Sequence, residues 1–232
     1  MYLKVYLIDL FVTFDSNLIK FLQILTMNNK NLALFDFDGT ISNKDSFFIF
    51  IRFYVSKWRF LKGSLLLLPI LIAYKLKILD NEKAKKYVIK HFFEGETEEN
   101  FNKKCTIFGN EKLPLIIRKT AKKALQQHRK QGDRIIIVSA SLENYLVQWC
   151  KNNDFELIAT KLATENGIIT GDFVGENCHG QEKVNRIKSY LNIADYQGDN
   201  EGNNKEIYAY GDTSGDLPML KLATKPFYKH FK

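Results

Sequence analysis

The sequence has little cysteine and little proline, and both shortages exclude whole classes of protein. Its 232 residues include 3 cysteines and 4 prolines. Cys105, Cys150 and Cys178 are too few and too scattered for a disulfide framework or a zinc site, so we expect buried thiols in a reducing compartment. The small number of prolines, together with 45% hydrophobic and 26% charged residues, excludes collagenous, low-complexity and disordered chains.

Long apolar runs are also missing, although two segments come close. Residues 1–26 are mostly apolar, but Asp9, Asp15 and Lys20 interrupt them, which argues against a signal peptide and against a membrane span. We expect these residues to form an N-terminal extension outside the fold, with translation starting at Met27. The second segment, Gly63–Tyr74, contains twelve uncharged residues, whereas a transmembrane helix needs about 20 apolar ones.

Short apolar runs alternate with helical patterns over most of the chain, which predicts an α/β fold with a parallel sheet covered by helices. The predicted strands are Leu32–Phe35, Arg134–Val138, Leu157–Thr160 and Ile207–Tyr210. The predicted helices between and after them are Leu142–Asn152, Gln181–Leu191 and Leu217–Ala223. Residues 167–173 predict an added hairpin.

The interval 45–131 is different, because it shows helical patterns throughout and no convincing strand. We interpret it as an inserted α-helical domain, called the cap here. The α/β core is then predicted to consist of residues 27–44 and 132–232. We expect the short basic C-terminal segment, Tyr228–Lys232, to cover the surface.

Polar side chains follow three of the predicted strands at the point where each strand ends. Asp36 and Asp38 follow the first strand, Ser139 follows the second, and Asp212 and Asp216 follow the fourth. The carboxyl ends of parallel strands lie along one edge of a sheet, where ligands bind. Clustered carboxylates of this kind favour a hard divalent cation such as Mg²⁺, which prefers oxygen ligands and substrate phosphate.

This set of residues is suited to phosphoryl transfer. Asp36 and Asp38 lie two residues apart, so both can point to the same side; one can attack phosphorus while the other handles protons. Mg²⁺ would neutralise charge on the attacking carboxylate and on the phosphoryl oxygens. Ser139 and Lys183, near the start of a predicted helix, offer a hydroxyl and a cation to those oxygens.

Four motifs together carry a resemblance to a known family. They are DFDGT at Asp36–Thr40, VSAS at Val138–Ser141, Lys183 within EKVNRI, and GDTSGDLPML at Gly211–Leu220. In this order and spacing the sequence resembles the haloacid dehalogenase-like phosphatases, specifically subfamily IB, which contains phosphoserine phosphatase. The resemblance implies a Rossmann-like parallel-sheet core and a helical cap that closes over the substrate.

The resemblance also implies individual roles. Asp36 would be the nucleophile that becomes an aspartyl-phosphate, and Asp38 the general acid and base. Ser139 and Lys183 would hold the phosphate. The implied metal ligands are Asp36, the backbone carbonyl of Asp38, and Asp212, with Asp216 supporting them.

The cap bears on the choice of substrate and partner. Arg52–Lys90 contains ten Lys and Arg but two Asp and Glu, a net charge of +8 that equals the net charge of the whole chain. Cations interspersed with aromatic and apolar residues are typical of a surface that meets anionic lipid headgroups. The alternative is that the leucines pack within the cap while the lysines are solvated. No nucleic-acid motif accompanies the charge, so we expect no nucleic-acid partner.

Two departures from phosphoserine phosphatases weaken phosphoserine as the substrate. Asp45 stands where those enzymes have a glutamate that helps to hold the amino acid, and Gly215 stands where they have an asparagine. The Leu-Leu-Pro segment of the cap, Leu67–Pro69, following DFDGT instead resembles the bacterial phosphatidylglycerophosphate phosphatases of the same subfamily. This resemblance implies a lipid-linked phosphate monoester such as phosphatidylglycerophosphate, with phosphoserine or another small metabolite as the alternative. A non-enzymatic membrane-surface adaptor is a third hypothesis. The expected location is cytoplasmic, including the inner face of the membrane.

Overall fold

The computed structural model describes residues 31–196 and 205–232, so the predicted extension over residues 1–26 and the predicted start at Met27 lie outside the described residues. The described chain contains a parallel sheet, a two-stranded hairpin and a series of helices. The strands are β1 (Leu32–Phe35), β2 (Arg134–Leu142), β3 (Glu156–Thr160), β4 (Leu162–Glu165), β5 (Ile168–Phe173), β6 (Ile207–Gly211) and β7 (Lys225–Tyr228).

The helices occur in two groups. The first group lies between β1 and β2 and comprises α1 (Ser46–Tyr54), α2 (Lys57–Leu66), α3 (Leu68–Lys75), α4 (Asn81–Phe93), α5 (Glu98–Glu111) and α6 (Lys119–Gln131). The second group alternates with the later strands and comprises α7 (Glu143–Asn152), α8 (Gln181–Tyr190) and the short α9 (Leu217–Leu220).

The five-stranded sheet has the order β3-β2-β1-β6-β7, and all its neighbouring strands pair in parallel. Leu32 in β1 is opposite Arg134 on one side and Ile207 on the other. The chain therefore runs outward from β1 through β2 to β3 and later returns to β6. A ligand site is expected at this reversal, between the carboxyl ends of β1 and β6.

Both faces of the sheet are buried, which explains why its central strands are apolar without alternation. Ala33 and Phe35 point into a core cluster shared with the cap, whereas Leu32 and Leu34 point into a second cluster that includes Ile187 of α8. The predicted α/β class and the parallel sheet with flanking helices are confirmed.

Aromatic rings join the cap to the sheet. Phe50 of α1 is fully buried, and its ring centroid lies 5.1 Å from that of Phe108 and 4.9 Å from that of Tyr145. Because Tyr145 belongs to α7, these contacts fix the first cap helix against the core. At the other end of the interval, His128 of α6 contacts Asp133 at 2.7 Å. The limits 45–131 stay a prediction.

Helices α2 and α3 bury little of their apolar surface. Gly63 is the buried residue of α2, and Leu67, between the helices, is also buried. Ten large apolar side chains of this region are between 42% and 77% exposed, whereas Phe60 and Ile70 are half-buried against the core. The ten exposed side chains are Trp58, Leu61, Leu65, Leu66, Leu68, Leu71, Ile72, Tyr74, Leu76 and Ile78. The alternative that the leucines pack within the cap is therefore wrong for these residues. None of the helices in the described segments is long and apolar enough to cross a bilayer.

The remaining elements complete the core. The predicted hairpin is present but starts earlier than expected, because β4 precedes residues 167–173, which form only the turn and β5. Gly171 lets the hairpin approach α4, since a Cβ there would lie 2.3 Å from Cγ of Lys90. The C-terminal segment does more than cover the surface. Phe231 is buried, and its ring stacks on Tyr210 with centroids 5.2 Å apart. The expectation of a purely superficial segment was wrong for this residue.

Candidate active site

The turn after β1 brings the first two acids to the central edge of the sheet. Asp36 is buried, and its backbone N–H donates to the carbonyl of Tyr210 in β6 at 2.9 Å. Gly39 in this turn has a φ of 81°, and a Cβ there would lie 2.4 Å from a carboxylate oxygen of Asp212. The turn thus needs glycine both for its backbone and for the close approach of Asp212.

Lys183 lies at the centre of the acidic cluster. It is buried near the start of α8, and its Nζ donates to Asp36 at 2.7 Å and to Asp216 at 2.6 Å. Burial lowers the pKa of this lysine, but the two carboxylates more than offset that effect and raise its pKa above the ordinary value. Lys183 therefore carries a fixed positive charge between the two acids.

Asp216 is held by several donors besides Lys183. Its Oδ2 accepts from the backbone N–H of Asp212 at 3.1 Å and from both the backbone and the hydroxyl of Thr213, at 2.9 and 2.8 Å. Burial raises the pKa of this carboxyl, yet Lys183 and these donors outweigh burial and lower it. Asp216 is thus an ionised and immobilised carboxylate.

Three buried carboxylates form a set that could hold a metal ion. Asp36, Asp212 and Asp216 each offer one oxygen, and these oxygens lie within 4.8 Å of one another. An all-oxygen anionic set of this kind fits a hard divalent cation. Two lysines supply positive charge to the same acids, Lys183 and Lys232, whose Nζ lies 2.7 Å from Asp212. The side chain of Asp38 is not part of this set.

The electrostatics of Asp36 also favour a bound cation. Burial is the largest influence and raises the pKa of this carboxyl to about 7, even though Lys183 lowers it. The charges of Asp216 and Asp38 add to the increase. One lysine is thus not enough to keep the carboxylate ionised below neutral pH, and a further positive charge at the cluster would do so.

Asp38 faces a group of hydroxyls. Its carboxylate accepts from the backbone N–H of Ser46 at 2.7 Å and from the Ser46 hydroxyl at 3.1 Å, and the Ser141 hydroxyl also donates to it. Burial raises the pKa of Asp38, and the charge of Asp45 adds to that effect. Since Ser46 begins α1, the cap itself orients the carboxyl that was predicted to transfer protons.

The other two predicted residues lie around the same space. Ser139 is buried within β2, which runs to Leu142 and so continues beyond the predicted strand end, and its hydroxyl accepts from the backbone N–H of Ser141 at 3.0 Å. Asp45 is exposed at the N-terminus of α1, where its carboxylate accepts from the backbone N–H of Phe48 at 2.9 Å. The structure thus brings Asp36, Lys183, Asp212 and Asp216 into direct contact, with Asp38, Ser139 and Asp45 lining the adjacent space.

This space is a cavity of about 840 Å³ between the core and the cap. Its core end is polar, because Asp36, Asp38, Ser139 and Lys183 line it. Its cap end is mainly apolar and is lined by Ile51, Phe60, Leu67, Leu71, Val88 and Phe92. A ligand with a charged head and an apolar remainder would match this division.

Comparison with known proteins decides the family. A family model for haloacid dehalogenase-like hydrolases matches residues 33–221. The chain belongs to this family. Protein CicA of Caulobacter vibrioides is 32% identical over 206 residues, which cover 87% of this chain and 86% of that protein. A histidinol-phosphatase of Neisseria meningitidis is 25% identical over 213 residues, which cover 85% of this chain and 89% of that enzyme.

Solved structures agree on the fold of this hydrolase. A protein of unknown function from Bordetella pertussis has a TM-score of 0.71 at 22% identity, covering 85% of this chain and 89% of that one. A phosphoserine phosphatase, solved as an analogue of its phospho-aspartyl intermediate, has a TM-score of 0.52 at 19% identity and covers 84% of both chains. The predicted family and enzyme class, a hydrolase of phosphate monoesters, are confirmed.

Two side chains that line the cavity of this hydrolase were missed from the sequence. Lys85 of α4 reaches into the cavity from the cap, and nothing distinguishes it in the sequence from neighbouring solvated lysines. His179 packs over Gly215, where a Cβ would lie 2.3 Å from its Nε2. The signal in the sequence was Gly215 itself, because a glycine in the last acidic motif leaves space that another side chain, here His179, can fill.

Proposed function

We propose that this hydrolase is a Mg²⁺-dependent phosphatase that cleaves a phosphate monoester through an aspartyl-phosphate on Asp36. The observation that carries the proposal is the buried cluster itself. One ammonium, Lys183, bonds both Asp36 and Asp216, and Asp212 completes a set of carboxylate oxygens within 4.8 Å. Asp36, Asp212 and Asp216 would hold the ion, which when bound would neutralise negative charge on the phosphoryl group.

The first half of the reaction assigns a role to each acid. An oxygen of Asp36 attacks phosphorus, and the bond between phosphorus and the alcohol oxygen breaks. The leaving oxygen takes a proton from Asp38, whose raised pKa suits it to be protonated at the start. Lys183 and the Ser139 hydroxyl bind phosphoryl oxygens, which keeps the group in line with Asp36.

The second half regenerates the enzyme. Asp38 is now ionised and takes a proton from a water molecule, whose oxygen attacks the phosphorus of the aspartyl-phosphate. The bond between phosphorus and Asp36 breaks, so inorganic phosphate leaves and both acids return to their starting states. Hydrogen bonds from Ser46 and Ser141 stabilise the ionised form of Asp38 between the two halves.

Three variants test this mechanism. Asp36→Asn should abolish turnover, because an amide is a poor nucleophile, and chelation of Mg²⁺ should have the same effect. Asp38→Asn should slow hydrolysis by roughly 10²- to 10⁴-fold. Asp154→Asn is the matched control, because that side chain is 94% exposed and does not line the cavity. Near-normal activity of Asp36→Asn on p-nitrophenyl phosphate would contradict the mechanism.

For the substrate we propose a lipid-linked phosphate monoester such as phosphatidylglycerophosphate. Two features support this choice: the apolar cap end of the cavity, and the exposed apolar side chains of α2 and α3 beside it. The exposed cations Lys57, Lys62, Lys75 and Lys77 accompany those side chains. Such a surface suits the inner face of an anionic membrane.

A small metabolite is the second candidate, because the relative from Neisseria meningitidis is a histidinol-phosphatase. A panel of phosphatidylglycerophosphate in mixed micelles, phosphoserine and histidinol phosphate separates the two candidates. The lipid proposal expects the highest kcat/KM for the lipid. A water-soluble ester with the highest kcat/KM would replace the lipid proposal and leave the phosphatase proposal intact.

A further inference from the structure

Lys85 crosses from the cap to the floor of the catalytic cavity. Its Nζ donates to the backbone carbonyl of Ala140, which lies between Ser139 and Ser141 in the last part of β2, and is 3.5 Å from the side-chain oxygen of Asn177. The aromatic rings of Phe47 and Phe173 flank the ammonium, at 5.3 and 5.7 Å from their centroids. The lysine is therefore held in place by neutral partners.

The neighbouring lysines of the same helix behave differently. Lys83, Lys86 and Lys90 form ion pairs with carboxylates at 3.1, 2.9 and 3.0 Å. Lys85 forms no ion pair with any carboxylate in residues 31–196 and 205–232. Burial lowers its pKa to about 8, and the charges of Asp38 and Asp45 only partly offset that effect. The protein thus keeps a half-buried ammonium at its catalytic cavity, hydrogen-bonded to neutral groups and without an ion pair in the described chain.

Such an arrangement is costly unless a ligand completes it. Even partial removal of an ammonium from water is unfavourable when no carboxylate pairs with it. Lys85 bonds the carbonyl of Ala140, and Ala140 directly follows Ser139. The ammonium is therefore bound next to the residue whose hydroxyl is proposed to hold the phosphate. The transferred phosphate, however, already has its own lysine, because Lys183 bonds the proposed nucleophile Asp36. A second anion is the partner that is missing.

We propose that Lys85 binds a second anionic group of the substrate, a carboxylate or a phosphodiester that lies beside the phosphate monoester. This inference rests on the proposed phosphatase function and narrows its substrate class. The anion replaces part of the lost hydration of the ammonium, and the rings of Phe47 and Phe173 keep water away from the pair. Substrates that carry only the monoester leave Lys85 without this partner.

A matched pair of substrates isolates the effect. 3-Phosphoglycerate and glycerol 3-phosphate share a carbon skeleton and a phosphate monoester, but only the first carries a carboxylate. The deacylated headgroup of phosphatidylglycerophosphate supplies the phosphodiester. The selectivity ratio is kcat/KM for either second-anion substrate divided by kcat/KM for glycerol 3-phosphate. Comparing the two ratios tells which source of negative charge the site prefers.

Lys85→Met should lower this ratio by about 10- to 100-fold, the usual effect of one hydrogen bond to a charged group. Methionine suits the place between Phe47 and Phe173, and a thermal melt checks that the variant folds. Lys85→Arg should restore part of the ratio because it keeps the charge. Lys86→Met is the control, since that lysine pairs with Glu82 and does not line the cavity, and it should leave the ratio unchanged.

A binding measurement separates this inference from the proposed chemistry. Calorimetry in the Asp36→Asn background should show that Lys85→Met weakens the binding of 3-phosphoglycerate or of the deacylated headgroup. The expected loss of affinity is the same 10- to 100-fold. The same substitution should change the Kd of glycerol 3-phosphate by less than about threefold. If Lys85→Met weakened the binding of all three ligands equally, or weakened the binding of none of them, the proposed role of Lys85 would be wrong. Selective binding without any turnover by the unaltered protein would instead overturn the proposed function.

Discussion

The serines around Asp38 should control the pH at which the enzyme works. Hydrogen bonds from Ser141 and Ser46 lower the pKa of Asp38 against the effect of burial. Ser141→Ala removes one donor, so the pKa of Asp38 should rise and its ionised form should appear at higher pH. The acidic limb of kcat, measured on p-nitrophenyl phosphate, should move up by about one pH unit.

Ser189→Ala is the control for this shift, because the Ser189 hydroxyl donates to a helix carbonyl on the exposed side of α8. It should leave the profile of kcat against pH unchanged. An unchanged acidic limb in Ser141→Ala would mean that Asp38 does not limit the reaction.

The raised pKa of Asp36 predicts how Mg²⁺ binding depends on pH. In the metal-free protein this carboxyl has a pKa of about 7, so below that pH it is protonated and the cation must displace a proton. The Mg²⁺ affinity should therefore increase as the pH rises from 5.5, by up to about tenfold per pH unit, and level off above pH 8. Titration calorimetry with MgCl₂ measures this directly.

Asp36→Asn removes the titrating ligand and so provides the comparison for this measurement. Its Mg²⁺ affinity should be weaker at pH 8 and should depend less on pH. A binding constant of the unaltered protein that does not change between pH 5.5 and 8 would contradict the involvement of Asp36 in the metal site.

Residues at strand ends could be predicted because one rule of parallel sheets places them together. Asp36, Asp212 and Asp216 follow from that rule, and the structure brings them within 4.8 Å. Ser46 and Lys85 could not be found in this way. Both come from the cap, and their positions depend on how the cap packs on the core, which no local pattern in the sequence encodes.

At the scale of secondary structure, one glycine fixes the position of the exposed helix α2 against α4. A Cβ at Gly63 would lie 2.5 Å from Cζ of Phe92 and 2.7 Å from Nε2 of His91. Phe92 is 2% exposed and has little room to move. Gly63→Ala should thus destabilise the protein by about 1–3 kcal/mol through overpacking, which outweighs the gain of roughly 1 kcal/mol in helix propensity.

Thermal and urea denaturation measure this change in stability. Leu65→Ala in the same helix is the control, because Leu65 is 72% exposed and its loss should cost less than about 0.5 kcal/mol. A more stable Gly63→Ala protein would show that α2 does not pack closely on α4.

The strands that the sequence predicted are those with continuous apolar runs, since burial on both faces leaves a clear pattern. Strand β7 was missed because its sequence, KPFY, contains a lysine and a proline and is mostly exposed. Proline lacks the N–H needed inside a sheet but is tolerated at an edge, which is the place of β7. The helix predicted over Leu217–Ala223 is shorter in the structure and ends at Leu220.

For the whole molecule, the exposed apolar face of α2 and α3 predicts binding to anionic vesicles. Each lysine close to such a surface contributes about 1 kcal/mol. Replacing the exposed Lys57, Lys62, Lys75 and Lys77 by glutamine should therefore weaken vesicle binding strongly. Binding of the unaltered protein, measured by sedimentation with vesicles containing phosphatidylglycerol, should fall as salt rises, because screening acts over roughly 8–10 Å.

The matched control changes net charge by the same amount on another helix, α6. There Lys119, Lys122, Lys123 and Lys130 are exposed, and their replacement by glutamine should leave vesicle binding nearly unchanged. Equal losses in both variants would mean that overall charge, and not this face, drives binding. A concentration-dependent dimer without vesicle binding would show that a second copy covers the face instead.

The central position of β1 sets the order in which the molecule can fold. Asn31, just before β1, bonds with Asp133, 102 residues away, and with Glu206, 175 residues away. At a synthesis rate of about 5–20 residues per second, roughly 10–35 seconds separate the appearance of Asn31 from that of Glu206 on the ribosome. During that time the nascent strand has no partner on its β6 side. Strand pairings between residues so far apart in the sequence form slowly. When the unfolded protein is refolded, activity should therefore return at the rate at which β6 docks, and not at the faster rate at which the helices form.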